Sequence, residues 1–227
     1  MTTTEMTRWS GIANIAAGVL FAAFTLLHPA GRIAGGEAAL VLGSPWAEIH
    51  TLGIAAWLFT VVGLVGLYVP RAGEFPLQWT YGFLLALFGT ALFTGIFYAD
   101  GYLLPHLAQY TPDLLRAGGP LSIQFTLFGV VTFLAGVALW SGYLLFYSVA
   151  SRRRVIPFRC CITIMLGALW VGIRLAGYGV RARLGDSLMF GVIDFDLIFG
   201  LFFAAGLIWV GVLTLRGLGV PDRPRAG

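Results

Sequence analysis

A chain of 227 residues that is 59% hydrophobic and 11% charged, with a mean hydropathy of +0.88, cannot coat a water-facing surface; soluble domains carry about 25% charged residues. A soluble globular protein and a disordered chain are both excluded on this ground, and two cysteines exclude a disulfide scaffold. The net charge of +4 comes from 14 Arg and no Lys. Chemistry through a lysine Schiff base is therefore excluded, and the basic excess reads as cytoplasmic loop charge rather than a nucleic-acid surface.

A bilayer core needs about 20 apolar residues per helix. Six stretches meet that length: 10–28, 49–69, 78–99, 122–149, 158–180 and 188–215. They predict an all-α, six-helix membrane bundle, with residues 1–227 as a single transmembrane domain. The first stretch exceeds the roughly 7–15 residues of a signal-peptide core and is read as a retained helix that His28 closes, because Pro29 disfavours helix at the residue before it. Ser44-Pro45 has the form of an N-cap followed by proline in the first turn. The segments 29–45, 70–76, 101–120, 151–157 and 181–187 read as loops.

Orientation follows from arginine near the span ends. With the N-terminus in the cytoplasm, the inner side holds Arg8, Arg71, Arg152, Arg153, Arg154, Arg159, Arg216, Arg223 and Arg225. The outer side holds Arg32, Arg116, Arg181 and Arg183. This asymmetry predicts both termini on the cytoplasmic side. Aromatic belts are expected at the two interfaces: Trp9, Tyr68, Trp79 and Tyr147 inside, Trp46, Tyr98, Tyr102 and Tyr178 outside. Cys160 and Cys161 read as packing residues, since adjacent thiols have no zinc-site spacing.

Two polar groupings carry the candidate chemistry. His28, His50 and His106 all fall on the outer side, with Glu48 and Asp100 at outer helix ends. If the first three helices pack as neighbours, these five could converge. Imidazole and carboxylate hold zinc, copper or non-haem iron, and two imidazoles can hold haem. Residue types alone do not choose between a metal or haem site, a proton-transfer site and ordinary interfacial hydrogen bonding. No HExxH and no histidine pair at i, i+4 is present.

The second grouping is intramembrane. Arg174 and the pair Asp194 and Asp196 lie at similar depth in consecutive helices, and a lone charge in hydrocarbon is costly. Asp196 shares a stripe with Gly200 and Ala204, whereas Asp194 lies about 200° away round the helix. The expectation is an Arg174–Asp196 ion pair. Gly63–Gly66 and Gly172–Ala176 are expected to be helix-packing faces, and Asn14, Thr25 and Gln124 to bond between helices.

The run Leu26-Leu27-His28-Pro29, then Glu48-Ile49-His50 leading into Val65-Gly66-Leu67-Tyr68, resembles a pattern in an uncharacterised family of multi-span bacterial membrane proteins. The resemblance extends to Ala86–Leu104 and to Gly119-Pro120. It implies a bacterial six-helix fold and no particular activity. Three functions remain in view. The first is an accessory or scaffold subunit of a membrane complex, respiratory or redox, partnered by other subunits or by a second copy. The second is a metal- or haem-binding redox protein using the outer histidines, and the third a transporter of protons or a small solute. The bilayer is the partner common to all three.

Overall fold

The computed structural model describes residues 2–28, 41–115, 127–169 and 195–217. Every regular element among them is helical: α1 (Thr3–Leu27), α2 (Trp46–Tyr68), α3 (Leu77–Tyr98), α4 (Leu104–Tyr110), α5 (Leu127–Arg152), α6 (Phe158–Leu169) and α7 (Phe195–Leu215). Five described helices are long and apolar enough to cross a membrane, and α6 is a shorter apolar helix. The protein is a helical membrane bundle. Its outward side chains are hydrocarbon, among them Leu58, Val62, Leu84, Phe88, Phe133 and Phe202, as a lipid-facing surface requires.

The first helix starts well before its apolar stretch. Thr2 accepts from the Glu5 N–H at 3.2 Å, and Glu5 returns a carboxylate to the Thr2 N–H at 2.6 Å. This reciprocal capping box satisfies two otherwise orphaned donors. At the far end His28 turns extended (φ −64°, ψ 124°), as Pro29 demands. The start of α2 lies one residue later than the Ser44-Pro45 signal suggests: Pro45 takes the cap position and Trp46 opens the helix. Helix α5 closes with Arg154 in the left-handed region (φ 57°), where its N–H reaches the Ser151 carbonyl and that of Val155 reaches Ala150. That is a Schellman turn with arginine in the place glycine usually takes.

Small residues hold the helices together. A side chain at Gly63 or Gly66 would strike Asn14 or Ser10 of α1, and one at Gly89 or Gly142 would strike the backbone of the facing helix in the α3–α5 seam. Gly18 of α1 packs on α7, and Gly167 and Gly206 pack α6 against α7. The expected packing face at Gly63–Gly66 is therefore present; Gly172–Ala176 lies outside the described residues. Ser10 bonds across to the Gly63 carbonyl at 2.7 Å, but Asn14 and Thr25 bond back to carbonyls of their own helix. The interhelical bonds expected of those two are replaced by close backbone approach. Gln124 lies outside the described residues.

The aromatic belts are corrected in part. Trp9, Tyr98 and Tyr102 are exposed as expected, whereas Trp46, Trp79 and Tyr147 are buried within the bundle. Tyr178 lies outside the described residues. Phe21, Trp57, Phe203 and Tyr143 pack ring against ring in T-shaped and tilted contacts, so one aromatic core joins α1, α2, α5 and α7. Cys160 and Cys161 are free thiols buried in that core.

Candidate functional site

The segment read as a loop after residue 100 is largely helical, and this correction builds the site. Helix α3 runs on through a π turn, Ala99–Leu103, into α4. Pro105 explains the widening. A proline inside an α-helix lacks the N–H for its i−4 carbonyl and its ring collides there; one wider turn removes the conflict, and π turns of this kind are frequent at functional sites. The Leu104 N–H now bonds to Ala99. The Asp100 carbonyl thereby loses its α-helical donor, and its π-helical donor would be Pro105, which has no N–H. The indole of Trp46, at the start of α2, supplies the missing donor at 3.0 Å.

The same turn aims the Asp100 side chain at His50. The imidazole is 1% exposed and its Nε2 lies 3.2 Å from Asp100 Oδ2, whose side chain is 39% exposed. His50 Nδ1 lies 2.8 Å from the Trp46 carbonyl one turn back. A carbonyl only accepts, so Nδ1 carries a proton and donates. One further proton must then lie between Nε2 and Oδ2. Either an imidazolium donates to a carboxylate, or a carboxylic acid donates to neutral imidazole; without that proton two lone pairs would face each other. The pair is a one-proton site, open to solvent through the aspartate and closed behind the histidine.

Packing fixes the ring. Trp46 lies 4.7 Å from His50, His28 5.3 Å, and Phe24 and Phe97 each 5.7 Å. Gly101 passes so close to the His50 Cβ that any side chain there would collide with it. Thr51 and Tyr102 share a hydroxyl hydrogen bond of 2.7 Å that ties α2 to the π turn from outside.

Of the five outer-side candidates, the structure gathers His28, His50 and Asp100. Glu48 is exposed, because two residues along a helix is about 200° of rotation from His50. His106 is exposed on α4 and packs on Tyr110 at 4.7 Å. The five are therefore not one ligand set, and among the described residues no group of three or more His, Cys, Asp or Glu is placed to hold a metal ion. Haem fits no better: the His28 and His50 rings touch directly, with no room for a porphyrin between them, and both His50 nitrogens are engaged. Arg174 and Asp194 lie outside the described residues, as does the Asp196 side chain, so the expected Arg174–Asp196 pair does too. What sequence reading missed is Trp46, placed in an interfacial belt although it satisfies a carbonyl of the site. Pro105 was the available signal, since a proline shortly after a span asks where the helix puts its unpaired carbonyl.

No known protein family, curated protein or solved structure matches the chain.

Proposed function

We propose that this chain moves protons across, or couples them to a step within, the bacterial cytoplasmic membrane, and that the His50–Asp100 pair is the group that takes up and gives off the proton. The observation that carries the reading is the orientation of His50: Nδ1 is committed to the Trp46 carbonyl, so exchange is confined to the Nε2–Asp100 contact. Burial of the imidazole and partial exposure of the carboxylate give that proton one route, through Asp100. Ionisable groups within membrane spans mark proton relays often enough to support the assignment. The arginine distribution supports an outer-face position for this mouth.

The accessory-subunit reading drew on the small-residue faces, and most of the described ones are occupied by the chain's own helices. The redox reading drew on a ligand set that the histidines do not form. The test is proton flux into proteoliposomes under an imposed pH gradient, with the membrane potential clamped and a pH-sensitive dye inside. Wild-type protein should collapse the gradient faster than protein-free vesicles, and Asp100→Asn should slow it at least tenfold. Flux no faster than in empty vesicles, or unaltered by Asp100→Asn, would overturn the proposal.

A further inference from the structure

Below the His50–Asp100 pair, the bundle holds buried hydroxyls that have no hydrogen-bond partner among the described residues. Thr90 Oγ1 of α3 and the hydroxyls of Tyr143 and Tyr147 of α5 are fully buried and have no hydrogen-bond partner among the described residues. The three belong together. Gly89 and Gly142 bring α3 and α5 into backbone contact, and the residue after each glycine is Thr90 or Tyr143. The Thr90 and Tyr143 hydroxyls are close enough to interact with each other but fall short of hydrogen-bond geometry, and the Tyr143 and Tyr147 rings, one turn apart on α5, are 5.8 Å from centre to centre.

Thr90 departs from the pattern of most other described helical threonines. A threonine in an apolar helix ordinarily turns its hydroxyl back to the i−4 carbonyl, as Thr7, Thr25, Thr51, Thr60, Thr94, Thr163 and Thr214 all do here. Thr90 gives up that bond although it is available within its own helix. A buried hydroxyl left without any partner costs more than a made hydrogen bond returns, and such groups in folded proteins are satisfied by internal water. Tyrosine and threonine hydroxyls each offer one donor and two acceptor positions, a set that suits water and has no charge to attract an ion.

We propose that Thr90, Tyr143 and Tyr147 line a buried compartment in the α3–α5 seam whose ligand is water. It lies on the inner side of an aromatic layer formed by Phe21, Trp57, Phe93, Phe97 and Phe203, and the His50–Asp100 pair lies on the outer side. The indole N–H of Trp57, across the Phe203 ring from Tyr143, is one more buried donor without a partner among the described residues.

Water-edited solid-state NMR of wild-type protein in lipid bilayers, with ring-labelled tyrosine and phenylalanine, tests the hydration directly. Magnetisation from water should reach the Tyr143 and Tyr147 Cζ atoms well before it reaches the ring of Phe203, which is as deeply buried. Assignment comes from Tyr143→Phe and Tyr147→Phe. Those variants give a second readout, because they keep the ring and remove only the hydroxyl: in a hydrated compartment each should lower the melting temperature, and in a dry one each should raise it. Transfer to the tyrosines no faster than to Phe203 overturns the proposal whether or not vesicles conduct protons. Fast transfer upholds it even if they do not, so the two readings fail separately.

Discussion

His50 has its two ring nitrogens held by different parts of the chain, one by its own helix and one by the turn that ends α3. At this scale the prediction concerns protons. In ¹⁵N spectra of the wild type, Nδ1 should be the nitrogen that carries a proton, donated to the Trp46 carbonyl. In Asp100→Asn the asparagine amide can donate to Nε2, so that nitrogen should move to the position of an unprotonated imidazole while Nδ1 stays unchanged. A wild-type spectrum with Nδ1 bare would mean that the Trp46 carbonyl does not set the tautomer. Gly101 gives a steric prediction. Alanine there drives a methyl into the His50 Cβ, and overpacking of this kind typically costs about 1–3 kcal/mol. Gly101→Ala should therefore lower the melting temperature in detergent, whereas alanine at Gly95, which faces open space, should leave it unchanged or raise it.

The π turn is where an element decides the chemistry. Pro105 forbids a regular α-helix through Asp100, and the wider turn both frees the Asp100 carbonyl for Trp46 and swings the carboxylate toward His50. Pro105→Ala restores an N–H and removes the clash, so the helix can tighten to regular α geometry. The expected result is loss of the Nε2–Oδ2 contact with the bundle still folded. The His50 Nε2 resonance should then shift in the same direction as in Asp100→Asn, and proton flux should fall with it. An unchanged resonance would show that something other than the proline holds the turn open. The other elements were more nearly legible. Apolar runs located α1, α2, α3, α5 and α7 because hydropathy is a property of composition. The capping box at Thr2 and Glu5 was also written in the sequence, and it extends α1 beyond its apolar stretch. Helix α4 escaped because a Gly- and Pro-containing segment normally ends a helix, and here the proline sits just after a π turn that accommodates it.

For the whole molecule, the arginine asymmetry makes a prediction that packing does not touch. Single cysteines at Thr4 and at Arg153 should resist a membrane-impermeant maleimide in intact cells, and one at Tyr110 should react; Cys160 and Cys161 are buried and should stay silent. The reverse pattern would invert the orientation and place the His50 mouth inside. Membrane residence, helical class and the location of most spans were fixed by composition alone, because a bilayer leaves an apolar chain few ways to satisfy its backbone. The short list of polar residues that need an explanation was likewise available from the sequence: His50 and Asp100 were both on it. Which of them meet was decided only by tertiary structure. Helical rotation separates Glu48 from His50 although they are two residues apart, and the π turn joins Asp100 to His50 across 50 positions. The same holds for Tyr143, Tyr147 and Thr90, which hydropathy reads as ordinary residues of apolar helices. Only glycine contacts between α3 and α5 bring their hydroxyls into one buried seam, because the distance between two helices depends on which small residues face each other and not on how apolar either helix is.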